Sequence, residues 1–218
     1  MTETPTKRDG RKENASATQA ALQMAALRWF SEQGFEKAPV GSICADAGVT
    51  VGALYHHYGD KKGLFAAVVE QVDAQLVQQA FAARSAVVEA GGSPWDAFLA
   101  SINAVLQAGT NAPLRRLMLV DAPAVLGAQV WGDIRQRQGL GAMRAQIDAL
   151  QVHGIFAGHD AERLARIVLG ALYGGMDSLP AADADVHEAL ADIRQSLVAM
   201  LEGLRFKEAS LDLNLRIR

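Results

Sequence analysis

A chain of 218 residues exceeds the ~100–150 typical of one domain, so two modules are expected. Half of it is hydrophobic and only 6% aromatic, with Ala and Leu abundant and no Asn-Gly hairpin signal, which favours helices and argues against a sheet protein. The net charge of −3 excludes a uniformly basic nucleic-acid binder, but residues 1–65 hold eight Lys/Arg against seven Asp/Glu and residues 66–218 thirteen against seventeen, so the positive potential lies at the front.

Residues 1–14 carry Pro, Thr, Asn, Gly and charge without an apolar period. They read as a flexible basic arm with Lys7, Arg8, Arg11 and Lys12, a solvated tail being the plain alternative. A first helix is predicted from Ser16 to Gln33, burying Ala20, Ala21, Met24, Leu27 and Phe30 and stopping at Gly34. Pro39 leads into a second, where Val40, Ile43, Cys44 and Ala47 recur at i, i+3, i+4 and i+7 before Gly48. Cys44 is the sole cysteine, so no intrachain disulfide forms. It reads as a small core residue in a reducing compartment, with a redox sensor as the sharper alternative. Thr50 caps a third helix that turns Val49 and Leu54 inward and Val51, Gly52, Tyr55 and His56 outward. Two short helices joined by a glycine turn form a helix-turn-helix, whose outward helix start is what a DNA major groove accepts.

Asp60 caps a fourth helix, about Lys61 to Val87. Its Leu64, Phe65 and Val68 pack into the head and its Val72, Leu76 and Phe81 into the rest, making it the expected mechanical link. Gly91-Gly92-Ser93-Pro94 breaks the chain before a fifth helix with Phe98, Ile102, Val105 and Leu106. Leu114 to Val120 reads as a sixth, ended by Asp121-Ala122-Pro123, and Val130 to Gln151 as a seventh, kinked at Gly139 and Gly141. Asp160 caps an eighth from Ala161 to Leu179, and Asp183 or Asp185 a ninth reaching Leu204. The expected fold is therefore all-α with about nine helices: a three-helix head and a larger C-terminal helical domain. Boundaries fall at 1–14, 15–62, 63–207 and a tail of 208–218, whose role the Leu-x-Leu-x-Leu pattern leaves open. The longest uncharged run, Ala97 to Leu114, is interrupted by polar residues and Pro113 and is not expected to span a membrane. With a polar amino terminus and no secretory signal expected, the protein reads as cytoplasmic.

The run from Ala47 to Tyr58, followed by Asp60-Lys61-Lys62-Gly63-Leu64-Phe65 and preceded by Ala20 to Phe30 and Gly34-Phe35, resembles the DNA-binding signature of TetR/AcrR-type transcriptional regulators over roughly residues 15–70. The resemblance implies a homodimeric, ligand-responsive regulator, usually a repressor, released from a pseudo-palindromic double-stranded operator by a small-molecule effector. Carried over by position, Thr50 would give its hydroxyl and backbone N–H to phosphate. Val51, Gly52 and Ala53 would occupy the first turn in the groove, Val51 against a thymine methyl and Gly52 allowing close approach. Tyr55 and His57 match phosphate-contacting positions, His56 reads base or phosphate, and Lys61 holds phosphate; Arg8 and Arg11 are expected on DNA from the charge of the arm alone. With no Arg, Asn or Gln on that first turn, sequence preference rests on apolar contacts, the arm and DNA shape.

The same resemblance implies an effector cavity within residues 88–180. Candidate lining residues are Trp95, Phe98, Leu99, Ile102, Leu117, Val120, Asp121, Trp131, Arg135, Met143, Ile147, Tyr173, Met176 and Asp177, with ordinary core packing as the alternative for each. It also implies a four-helix dimer interface from the last two helices, on Leu164, Val168, Leu172, Ile193, Leu197 and Leu201, burial within one subunit being the alternative. No metal or cofactor is expected. His56 and His57 are adjacent, His153, His159 and His187 lack metal-site spacing, and no Gly-x-Ser-x-Gly, phosphate-binding loop or dinucleotide fingerprint occurs. An enzyme is accordingly not expected; a small-molecule-binding enzyme and a DNA binder that senses no ligand are the alternatives.

Overall fold

Glycine breaks and side-chain caps divide this alanine- and leucine-rich chain into separate helices. The computed structural model describes residues 7–180 and 185–205, with side chains from residue 15 onward. Among these residues there are nine helical rods and no strand: α1 (Lys7–Lys37), α2 (Val40–Asp46), α3 (Val51–Tyr58), α4 (Lys61–Glu89), α5 (Pro94–Ala108), α6 (112–126), α7 (128–152), α8 (Ala161–Asp177) and α9 (Val186–Arg205). The all-α expectation holds. Gly48, at φ 66°, makes the left-handed turn between α2 and α3, and Gly34, at φ 80° and ψ 167°, breaks the helical path inside α1. Thr50 Oγ1 accepts the Ala53 N–H (3.2 Å), Asp60 Oδ1 the Gly63 N–H (2.7 Å) and Asp160 Oδ1 the Arg163 N–H (2.8 Å). Ser93 and Asp96 form a reciprocal capping box at the head of α5.

Four details differ from the sequence reading. Helix α1 begins at Lys7 rather than Ser16, so Arg8 and Arg11 lie on helical backbone instead of in a flexible arm. Its buried face is Leu22, Ala25, Ala26 and Phe30, while Met24 is 67% exposed and Ala20 faces solvent. Leu22, Ala26 and Phe30 recur every fourth residue on one side, and Met24 lies about half a turn from Leu22. Pro123 does not end the sixth helix. A π turn at Leu117–Asp121 resets the register, and Pro123 falls in the first turn of Ala122–Leu126, where its missing N–H removes no needed bond. The kink expected in α7 is a second π turn, Gln136–Leu140. The Asp183 cap and the tail lie outside the described residues.

The chain forms two units. The first joins residues up to Gln75 with Asn111–Ile134, so α6 packs on α1, and Leu117, Asp121 and Trp131 sit in the same unit as the head. Its core holds Leu22, Phe30, Ile43, Leu54, Leu64, Phe65 and Val68, with the Phe30, Phe35 and Phe65 rings 5.0–5.8 Å apart. The second unit joins Leu76–Thr110 with the chain from Arg135 onward; α5, α7, α8 and α9 pack around Phe98, Leu106, Ile147, Leu172 and Leu201. Phe81, expected inside, is exposed beneath the Arg84 guanidinium, and Val120, expected in a cavity wall, is exposed as well.

The α7–α8 loop closes the second core with Phe156. This ring is fully buried against Trp95 and Phe98 (centroids 5.7 and 5.8 Å) although its φ is +61°, a conformation unfavourable to a side chain. Its N–H donates to the Arg205 carbonyl (3.2 Å) and its carbonyl accepts from Gln151 Nε2 (3.2 Å), which fixes the turn. Phe156→Ala is expected to cost about 3–5 kcal/mol in urea unfolding. Phe156→Gly, which loses the same ring but relaxes the backbone, should be no less stable than the alanine variant; a markedly weaker glycine variant would refute the strain.

Candidate nucleic-acid interface

Helix α2 is tied to α1 through one carboxylate. Trp29 Nε1 donates to Asp46 Oδ2 at 2.7 Å, and the Arg28 guanidinium pairs with the same oxygen. The Trp29 hydrogen bond, against some desolvation and with help from Arg28, holds the Asp46 carboxyl below its ordinary 3.8. Ile43 and Cys44 of the same helix are buried, and burial pushes the Cys44 thiol up. That favours an inert core group over a redox sensor.

Leu54, fully buried, anchors α3, and the opposite side of the helix faces solvent. Val51 is 41% and Tyr55 52% exposed, Gly52 and His56 are exposed, and Ala53 and His57 are half-buried, with the two histidine rings 5.3 Å apart. The predicted outward set is therefore brought together on one short helix whose start is capped by Thr50. Tyr58 is half-buried; its hydroxyl donates to the Gln19 carbonyl (3.2 Å) and tethers the end of α3 to α1. Lys61, expected on phosphate, is turned inward: its Nζ donates to the Glu36 carbonyl (3.2 Å) and lies 4.7 Å from the Phe35 ring centre. The neighbouring Lys62 is exposed. The side chains of Arg8 and Arg11 lie outside those described.

Sequence reasoning missed a further tether. Near the Gly34 break, the Phe30 and Ser31 carbonyls accept from Arg116 Nη2 at 3.2 and 3.0 Å, and Arg116 Nε lies 3.4 Å from Asp121 Oδ2. A cation at a helix carboxyl end also complements its dipole. Asp121 thus steadies Arg116, and the two line an open cleft of the first unit beside Gly34 and Lys62; no short-range spacing signals a pair separated by more than eighty residues in sequence.

In the second unit, Trp95, Ile102, Met143 and Met176 are buried core rather than cavity wall. Trp95 Nε1 donates to Glu202 Oε1 (2.7 Å) under the Arg205 guanidinium. Leu99 is half-buried, Asp177 is exposed, and Arg135 stacks on Tyr173 (4.4 Å). The unit's cleft, about 210 Å³, shares only Phe98 with the predicted lining. The others include Arg84 and Val88 of α4 and Gln146, Ala149, Leu150 and His153 of α7, whose i, i+3, i+4, i+7 spacing was a signal available in the sequence. The predicted dimer residues are also core: Leu164, Val168, Leu172, Leu197 and Leu201 are buried within one subunit. Ile193 packs so tightly that a Cβ at Gly175 would lie 2.7 Å from its Cγ2. Between its charged residues α8 exposes Ile167 (58%), Gly170 and Gly174, and among the mostly charged and polar exposed residues of α9 are the small Ser196, Ala199 and Gly203. Among the described residues no cluster of three His, Cys, Asp or Glu fits a metal ion, and no helix is long and apolar enough to cross a membrane.

Because the Asp46 carboxyl is lowered in the folded head, its stabilising effect is present above pH 3.8 and is lost as pH falls through the lower native value. Asp46→Asn should therefore unfold at lower urea than the unmodified chain from pH 7 to 5, with the gap closing below about 3.8. A gap independent of pH down to the acid transition would show that the charge of Asp46 is unimportant.

Comparison with known proteins supports the same assignment for both halves. The family model of bacterial regulatory proteins of the tetR family matches residues 24–68, and that of the tetracyclin repressor-like C-terminal domain matches residues 95–204. The chain is 38% identical over 65 residues to the HTH-type transcriptional regulator AcrR of Shigella flexneri (30% of each chain). It is 35% identical over 63 residues to UidR of Escherichia coli K12 (29% of this chain, 32% of the relative), so these matches span under a third of either relative's length. A crystal structure of a TetR-family transcriptional regulator from Pectobacterium atrosepticum is 33% identical, with a TM-score of 0.73 over 93% of this chain and 99% of that one. The chain belongs to the TetR family of transcriptional regulators.

Proposed function

We propose that the protein is a homodimeric, ligand-responsive repressor that binds a pseudo-palindromic operator and is released by a small molecule. The observation that carries the reading is α3: anchored by Leu54 and capped by Thr50, it presents Val51, Gly52, Tyr55 and His56 outward from its first two turns. Val51, Gly52 and Ala53 supply apolar contact and close backbone approach to bases. Thr50, Tyr55 and His57 hold phosphate, and His56 reads base or phosphate. Lys62, exposed where Lys61 is engaged by Glu36, supplies the cation at the start of α4. Two such heads spaced about 34 Å apart fit adjacent major grooves on one side of DNA. A cytoplasmic location fits this activity.

For the dimer, the exposed faces of α8 and α9 replace the buried leucines. Open space surrounds Gly170, Gly174 and Gly203, so a second copy's backbone can approach closely, with Ile167 as the apolar knob. The cleft in the second unit favours ligand sensing over an architectural DNA binder. An effector weakens DNA binding only through its different affinity for the two conformations of the protein.

The direct test is binding of the purified chain to DNA fragments from beside its own gene across a salt series. Tight, sequence-selective and salt-sensitive binding is expected, and equal weak binding to every fragment would overturn the reading. Tyr55→Phe should weaken operator binding about tenfold, the worth of one hydrogen bond to a charged oxygen, with the dimer mass unchanged. Ile167→Glu should give folded monomers in sedimentation. Leu197→Glu should instead unfold the subunit, because it places a charge in the core; a dimeric Ile167→Glu would remove α8 from the interface.

A further inference from the structure

The cleft in the second unit has a lining of uneven chemistry. Its apolar wall is Phe98, Leu150 and Val88, and no carboxylate lines it. Two basic side chains do: Arg84 from α4 and His153 at the end of α7. Arg84 forms no ion pair among the described residues; its guanidinium lies only near the Phe81 ring, at 5.8 Å. The Gln146 amide oxygen, also in the lining, accepts from the buried Ser101 hydroxyl (2.8 Å), which gives the wall one fixed neutral polar group. A guanidinium with open donors beside an apolar surface lacks only an anion, and its planar fork matches a carboxylate. At about 210 Å³ the space is below the ~300 Å³ of common drug-sized pockets, which limits the guest to one ring or a short chain.

We propose that this cleft binds a small organic monoanion, its apolar body against Phe98, Leu150 and Val88 and its carboxylate on Arg84, with His153 as the second donor. The proposal rests on the ligand-responsive reading above and names the chemical class of the effector. An anion that pairs with Arg84 at this surface gains more than it would in bulk water, because the apolar wall excludes solvent from one side of the contact.

The test is calorimetric titration of the full chain with benzoate and hexanoate, each against its uncharged amide. Each acid is expected to bind roughly ten- to a hundredfold tighter than its amide, the worth of hydrogen bonds to a charged group. Arg84→Met should abolish that preference without moving the melting temperature, and His153→Gln should reduce it several-fold. Equal binding of acids and amides, binding of neither, or a preserved preference in Arg84→Met would overturn the anion site. Operator binding measured on the same samples separates the two readings. Intact DNA binding with no acid binding would sink the anion site and leave the regulator standing. Acid binding that leaves operator affinity unchanged would establish the site and remove its effector role.

Discussion

An eight-residue helix has almost no stability of its own, so α3 can hold one face outward only because other elements fix it. The fixing element is α1. Asp46 on α2 is bound by Trp29 and Arg28, the Tyr58 hydroxyl at the end of α3 by the Gln19 carbonyl, and Lys61 at the start of α4 by the Glu36 carbonyl. Each element of the helix-turn-helix and the one following it therefore has its own polar tie to the same helix. Arg116 on α6 adds a fourth at the Phe30 and Ser31 carbonyls.

These ties differ in kind from the contacts that stabilise the head. Most are exposed, where an ion pair or hydrogen bond contributes at most about 1 kcal/mol. Burial of Leu22, Phe30, Ile43, Leu54, Leu64 and Phe65 contributes more, about 1.5–3 kcal/mol for each fully buried side chain. Apolar packing is non-directional, however, and leaves short helices some freedom to rotate and slide. The polar ties are directional, and they fix which face of α3 points outward. Gly34 has a part in this: by breaking α1 beside carbonyls that Arg116 can reach, it turns a helix end into an attachment point for α6.

What could be read from the sequence was local. The glycine turn at Gly48, the caps at Thr50, Asp60 and Asp160, and the outward set on α3 all follow from residues close together in sequence. The proline at 123 misled because a π turn, which has no simple residue signature, can carry a helix past it. Arg116 was illegible because its partners are backbone carbonyls far away in sequence. The stripes on α8 and α9 were legible as buried but not as to which surface buries them. Leu164, Val168 and Leu172 look the same in sequence whether a subunit or its partner covers them. Gly170, Gly174 and Gly203, on which the proposed interface rests, lack a side chain and so read as nothing in a search for apolar periodicity.

Helix α4 frames how an effector and an operator can influence one another. Its early residues Leu64, Phe65 and Val68 are core to the first unit, and its late residues Arg84 and Val88 line the cleft of the second. A ligand on Arg84, as proposed, would therefore touch the same continuous helix that begins just after α3. Contact alone transmits nothing: the ligand changes operator affinity only if one setting of α4 offers a better Arg84 contact than another. Linkage then requires reciprocity, so operator DNA must lower affinity for the ligand by the same factor that the ligand lowers affinity for DNA. An Arg held by a buried ion pair would resist such bias, since breaking the pair costs several kcal/mol. Arg84, half-exposed and without an ion pair among the described residues, can change its contact at little cost, which makes it suited to report small displacements of the helix that carries it.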